Sequence, residues 1–353
     1  MQKINSFKKV LRFSLLPIAI IWDGIYRLHR TFYNYGVFKQ ETFKVPILSI
    51  GNLTFGGTGK TPLTLWIARF FEENNKKVMI LSRGYKGNLE NKFGILHAGK
   101  KLGFNSFEFG DEPILLARGL KHSSVVVGKN RAQNLEYYFP KEQPDVVLLD
   151  DGHQHLKLKR DMNIVLFDAL MPLSSYSVPP LGYMREGFFG LRDADIVVFN
   201  RADLVPEKKL IAIKKLIQPH IHRDITFVDI AHSVHGIFDS NFKKVFEPNQ
   251  VQGKRVLALA GIGAPEAFFM LLEELGCELI EKRVLPDHHL WQKDELSEIS
   301  RQASEKNAIV VTTEKDIVKV RHLGQGMNFY YLEIGVKFLN GEADFTKALG
   351  QYL

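Results

Sequence analysis

Between residues 45 and 70 the chain runs an apolar, strand-like stretch, then a loop with four glycines ending in Gly59-Lys60-Thr61. An apolar-periodic segment through Leu63, Leu65, Trp66, Ala68 and Phe70 follows. Strand, glycine-rich loop and helix in that order is the layout of a P-loop, and few folds accept it. Glycines let successive backbone N–H groups turn toward a polyphosphate, and the helix that follows presents its positive end to the same anion. On this layout Thr54, Phe55, Gly56, Gly57, Thr58, Gly59, Lys60 and Thr61 form the nucleotide loop. Lys60 reaches the β- and γ-phosphates of ATP, and the Thr61 hydroxyl ligates Mg²⁺. The usual pattern, G-x-x-x-x-G-K-[ST], opens on glycine; Thr54 stands there instead, and Gly56 and Gly57 supply the turn.

A second signal sits at residues 144–155, PDVVLLDDGHQH. A hydrophobic strand ending in an acid is the Walker B arrangement, so Asp150 or Asp151 is expected near Thr61, holding Mg²⁺ directly or through water. Val- and Ile-rich runs at 45–50, 77–82, 124–127, 145–149, 164–167 and 196–200 read as buried parallel strands. Helical segments at 61–73 and 112–119 separate some of them, which gives an α/β fold with a mostly parallel sheet. A second set of alternating elements begins near Arg255, and the polar, irregular stretch 241–253 is the expected boundary. Gly261-Ile-Gly263 lacks a third glycine at Glu266 and reads as a tight turn bringing backbone amides to a cleft, not as a dinucleotide site.

Charge separates the N-terminus from the rest. Residues 1–40 carry Lys3, Lys8, Lys9, Arg12, Arg27, Arg30 and Lys39 against Asp23 alone, so +6 of the net +8 lies there. A basic end on a nearly neutral body argues against a nucleic-acid-binding face and favours an anionic membrane surface. The apolar run 13–22 (FSLLPIAIIW) is too short to span, since ten helical residues extend only ~15 Å. Trp22, Tyr26, Phe32, Tyr33 and Tyr35, interleaved with Arg27 and Arg30, suit an interfacial anchor. No small-x-small site follows the run, which speaks against a cleaved signal. The single cysteine, Cys277, excludes an intramolecular disulfide and argues against a cysteine-based zinc site.

Several shorter constellations are ambiguous alone. Arg83 and Tyr85 of SRGYKG, at a strand end, suit an anion, a sugar or a plain turn. Asp111 of FGDEP is a helix N-cap or a carboxylate facing the γ-phosphate. LPDHHLW places His288 and His289 beside Asp287, suited to general-base work near neutral pH. Arg185 and Glu186 follow a Pro/Gly loop, and VTTEKD at 311–316 ends a strand.

Taken together, GNLTFGGTGKTP, LSRGYKG, GDEP, DDGHQH, the Arg185-Glu186 pair, ALAGIG, PDHH and VTTEKD occur in the order seen in the tetraacyldisaccharide 4'-kinase family. The chain resembles that family from about residue 45 to 320. The resemblance implies transfer of the γ-phosphate of ATP, with Mg²⁺, to the 4'-hydroxyl of a tetraacylated glucosamine disaccharide 1-phosphate. The product is lipid IVA, in the lipid A pathway of Gram-negative bacteria. It implies a peripheral or monotopic enzyme at the cytoplasmic face of the inner membrane, whose partners are the acylated substrate and the membrane surface, with no nucleic acid. It also implies a P-loop NTPase-like α/β/α core (41–240), a second, smaller α/β domain (250–353), an N-terminal membrane-interface helix (1–40) and an active site in the cleft.

Residue by residue, the family's phosphate loop matches Gly56 to Thr61. Its Mg²⁺-associated acids match Asp150 and Asp151, and its catalytic Asp–His pair matches Asp111 and His288. Arg83, Tyr85, His155, Arg185 and Glu186 match its substrate-side residues. Gly187 stands where the family often has proline, which bears on the local loop shape. A sugar alcohol must lose its proton as the bond to phosphorus forms; His288, made more basic by Asp111, would take it, worth ~10²–10⁴-fold. Lys60 and the loop amides would neutralise charge. The two alternatives are a P-loop kinase of a soluble small molecule and a membrane-bound P-loop ATPase switch. The switch type carries lysine where this chain has Phe55.

Overall fold

The computed structural model describes residues 2–98, 105–221, 224–287, 289, 291–323 and 327–353. The first half comprises α1 (Gln2–Asn34), β1 (Ile47–Asn52), α2 (Lys60–Glu73), β2 (Val78–Ser82), β3 (Gly94–His97), α3 (Ser106–Phe109), α4 (Asp111–Arg118) and β4 (Ser124–Val127). It continues through α5 (Arg131–Glu142), β5 (Val146–Asp150), β6 (Met162–Asp168), β7 (Ile196–Asn200), α6 (Glu207–Ile217) and β8 (Thr226–Asp239). Then come β9 (Lys244–Phe246), β10 (Arg255–Ala260), α7 (Pro265–Glu274), β11 (Glu278–Val284), α8 (Lys293–Glu305), β12 (Ile309–Thr313), α9 (Glu314–Leu323), β13 (Phe329–Asn340) and α10 (Glu342–Gly350).

All strands among the described residues join one sheet, ordered β11-β10-β12-β13-β8-β7-β6-β1-β5-β2-β4-β3, with β9 on β8. From β4 to β7 the pairing is parallel, and β1 lies between β5 and β6. These strands are buried on both faces, so they carry runs of apolar residues whose alternate members serve opposite layers. Leu48, Ile50, Ile80 and Leu148 pack with Leu63, Ile67 and Phe71 of α2. Ile47, Met79, Leu81 and Leu149 pack with Ala132 and Leu135 of α5. Further along that side, Val165, Phe167 and Val197 meet Ala19 of α1 and Ile213 of α6.

The two halves are joined by a pair of long strands. The start of β8 pairs parallel with β7, and most of β8, Asp229 to Asp239, pairs antiparallel with β13. β13 in turn pairs parallel with β12. α10 returns to the first half: Phe345 and Leu349 are fully buried in the α2 layer, with Phe345 against Trp66 and Phe338.

The apolar run at 13–22 is part of a much longer helix. α1 has 33 residues and continues through Pro17, whose missing N–H removes one i→i−4 bond. Its docked face recurs at helical spacing through Ala19, Trp22, Asp23 and Arg30, while Ile18, Ile20, Ile21, Ile25 and Leu28 are more than half exposed. Among the described residues, no helix is long and apolar enough to cross a membrane.

Candidate active site

The P-loop leaves the carboxyl end of β1 at the centre of the parallel strands. Its glycines are used: Gly59, the N-cap of α2, has φ +81°, and a Cβ there would lie 2.1 Å from Asn200 Nδ2. That amide donates to Thr58 O at 2.9 Å, so the end of β7 props the loop from below. Arg201 adds a second prop, donating to Gly57 O at 2.7 Å while pairing with Asp168 at 3.1 Å. Thr54 is buried and forms an antiparallel bridge with Met184, and the Phe55 N–H donates to Tyr183 O at 2.8 Å. The Pro/Gly loop is thereby stitched to the start of the P-loop, and the Arg185 N–H donates to Leu53 O at 2.6 Å.

Lys60 opens α2, with Thr61 in the same first turn. Lys60 Nζ lies 3.3 Å from Asn52 Oδ1 and 3.4 Å from Asp151 Oδ1. Arg185 grips both oxygens of Asp151, at 2.9 and 2.8 Å. Burial alone would raise the Asp151 carboxyl, but Lys60 and Arg185 hold it well below the usual carboxylate range. Asp150 behaves oppositely. Burial first, then Glu112 and Asp151, push it from 3.8 up to about 7, against the pull of Lys60 and Arg131. Its Oδ2 accepts from Ser82 Oγ at 3.0 Å, and its main-chain oxygen accepts from Arg131 at 2.8 Å. An ionised carboxylate here calls for a cation, and two carboxylates with a threonine hydroxyl are the hard oxygen donors that suit Mg²⁺.

Asp111 is not a cap: the N-cap of α4 is Gly110, and Asp111 is the first helical residue, 7% exposed. It pairs with Lys319 of α9 at 3.1 Å. One turn earlier on α9, Lys315 reaches Glu112 at 3.5 Å and Asp287 at 3.3 Å. VTTEKD, uninformative in sequence, thus begins the helix that joins GDEP to PDHH. Asp316 accepts from the Gly261 N–H at 2.9 Å and the Thr313 hydroxyl at 2.8 Å. On the same turn, a Cβ at Gly263 would come within 3.0 Å of Gly57 N, so the second half of the chain touches the P-loop itself. His288 lies outside the described residues. His289 is engaged by Glu295 at 3.0 Å and stands edge-on to Trp291.

The remaining expected residues fall around the acids. Arg83 pairs with Glu90 at 2.6 Å and lies over the half-exposed ring of Tyr85. Burial, then Arg131 and Arg160, push His155 down to about 3, so it is neutral; its Nε2 has no hydrogen-bond partner among the described residues. It lines an open cavity of about 920 Å³ with Lys92, Lys129 and Lys157. Glu186 faces away from this opening, buried against Arg30 of α1 at 2.5 and 2.9 Å. The residues that sequence reasoning missed are Arg30, Lys315, Lys319, Asn200 and Arg201. The lysines had one signal, an i,i+4 pair on a helix that follows an acid-rich strand end.

Residues 11–353 match the family model described as tetraacyldisaccharide-1-P 4'-kinase, LpxK. The tetraacyldisaccharide 4'-kinase of Desulfotalea psychrophila is 34% identical over 325 residues, 92% of each chain. That of Halothermothrix orenii is 31% identical over 98% of this chain and 93% of its own. The crystal structure of LpxK from Aquifex aeolicus in complex with ATP superposes with a TM-score of 0.77 and 30% identity, covering 97% of this chain and 99% of that one. With a P-loop, paired acids and the order of motifs matched along nearly its whole length, this chain belongs to the tetraacyldisaccharide 4'-kinase family.

Proposed function

We propose that this chain transfers the γ-phosphate of ATP, as its Mg²⁺ complex, to the 4'-hydroxyl of a tetraacylated glucosamine disaccharide 1-phosphate lying in a membrane. The observation that carries the reading is Lys60 of the P-loop standing 3.4 Å from Asp151, with Asp150 beside it at the end of β5. Glu112, next to Asp111 at the start of α4, helps raise Asp150 after burial, and Asp111 itself is tied to α9 by Lys319. Residues 54–61 hold the phosphates, and Lys60 neutralises charge as it develops. Thr61, Asp150 and Asp151 would hold Mg²⁺, which supplies charge neutralisation on the phosphates.

Asp111 and His288 are assigned the acceptor's proton: His288 takes it and Asp111 orients and stabilises the imidazolium. The engagement of His289 by Glu295 favours His288 for that task. Arg83, Tyr85, His155 and Arg185 are assigned to the acceptor side, where the lysine-lined cavity suits an anionic headgroup. Glu186 is assigned to the same side through its loop. Residues 41–240 act as the nucleotide-binding body and 250–353 as a smaller α/β body, with α10 serving the first. The apolar outer face of α1 rests on the membrane at its cytoplasmic side, consistent with the exposed isoleucines.

The test is direct. Purified protein, Mg-ATP and the acylated disaccharide 1-phosphate in detergent are expected to yield a lipid with a second phosphate. Asp111→Ala and His288→Ala should each lower kcat by ~10²-fold or more. Near-normal kcat in both variants removes the dyad. Phosphorylation of water-soluble sugars but not the lipid removes the acceptor.

A further inference from the structure

We infer that Arg30, on the helix assigned to the membrane, is a positioning residue for phosphoryl transfer. It fixes the Arg185–Glu186 turn and, through it, the chain from Arg185 to Asp151 to Lys60. This rests on the reading of Lys60, Asp150 and Asp151 as the Mg-ATP site.

Three consecutive residues of the turn are each held by a different residue of α1. Trp22 Nε1 donates to Arg185 O at 2.9 Å, and the Gly187 N–H donates to Asp23 Oδ1 at 2.9 Å. Between them Arg30 forks onto Glu186, with Nε at 2.5 Å and Nη2 at 2.9 Å. Its remaining donors go to Asp193 at 2.9 Å and His153 O at 3.2 Å. Both side chains of the pair are only 3% exposed. Gln154 completes the set, donating to Glu186 at 2.8 Å and to Asn52 O at the end of β1.

A helix that served only as an anchor would need an apolar seat. This one instead fixes the backbone and the carboxylate of a turn whose other edge pairs with the P-loop at Leu53, Thr54 and Phe55. Arg185, at the end of that strip, is the residue that grips Asp151. Removing one partner of a buried, forked ion pair leaves the other charge stranded, so Glu186 would turn away and the strip would lose its register.

The test uses full-length protein, the lipid acceptor in mixed micelles, and Arg30→Ala, Arg30→Lys and Trp22→Phe. Arg30→Ala should lower kcat by about 10- to 100-fold. Co-sedimentation with anionic phospholipid vesicles should stay within about twofold, since the outer face of α1 is untouched. Arg30→Lys, which keeps the charge without the fork, should recover part of the loss. Trp22→Phe loses the N–H together with the indole's second ring, and should lower kcat several-fold; if Arg30→Ala does not fold, Arg30→Lys decides, with kcat between wild type and that loss expected and an unchanged kcat refuting.

Binding of a fluorescent ATP analogue with Mg²⁺, without lipid, should weaken about 10-fold in Arg30→Ala. A wild type that binds nucleotide but phosphorylates no lipid fails the acceptor assignment and leaves this comparison readable. An unchanged kcat and nucleotide affinity, or a loss confined to vesicle binding, overturns the proposal.

Discussion

Asp150 offers the sharpest quantitative test, because its burial opposes the charge that the proposed Mg²⁺ site would use. Its carboxyl is pushed from 3.8 up to about 7 in the folded chain. Between those values the unfolded chain has released the proton and the folded one has kept it, so stability falls as pH rises through that window. At ~1.36 kcal/mol per pH unit the full effect is ~4 kcal/mol, complete above about pH 7 and absent below about pH 4. Asp150→Asn removes the titration. The Ser82 hydroxyl can accept from or donate to the amide, and the Arg131 bond goes to the main chain, so neither contact is lost. Imperfect amide packing shifts both values alike, so the variant's stability relative to wild type should rise by ~3 kcal/mol between pH 4.5 and pH 8. Urea unfolding at the two pH values, without nucleotide or divalent cation, measures this. Mg-ATP should then stabilise the wild type more than the variant, and the variant's kcat should fall by ~10²-fold or more. An Asp150→Asn protein whose stability difference does not change with pH refutes the buried, cation-seeking carboxylate.

Three other outcomes follow from the geometry. Gly59→Ala should cost ~2–5 kcal/mol, from left-handed backbone strain and loss of the buried Asn200–Thr58 bond, whereas Gly56→Ala, with φ +98° and open space around it, should cost only the strain. Equal losses in chemical denaturation would remove the Asn200 prop. Ile20→Ser with Ile25→Ser, both 62% exposed, should weaken binding to anionic vesicles by ~100-fold while leaving helicity unchanged; retained binding would place the membrane contact elsewhere. Phe345→Ala should cost ~3–5 kcal/mol in urea unfolding, because α10 fills the α2 layer, and a loss below ~1 kcal/mol would make that helix an appendage.

Local signals made much of the core legible. The P-loop, the paired acids after an apolar strand and the Val/Ile runs all announce themselves within ten or so residues, because strand burial and phosphate binding are written at short spacing. Thr54 in place of the first glycine is explained by its burial and its bridge to Met184. β8 was not legible: TFVDIAHSVHGIFD mixes polar with apolar residues, since its two ends sit between different neighbours. α10 likewise gives no sign in sequence that it returns to the first half.

What the sequence alone determined is therefore the nucleotide loop, its acids, the α/β alternation and a basic, aromatic-rich N-terminus. Tertiary structure alone decided how the motifs meet. Lys315 and Lys319 of α9 tie GDEP to PDHH, and Arg30 meets Glu186 across 156 residues of chain. Periodicity and turn chemistry depend on neighbours along the chain. Buried ion pairs depend on which elements pack together and exclude water, and that is settled only when the whole sheet and its layers are assembled.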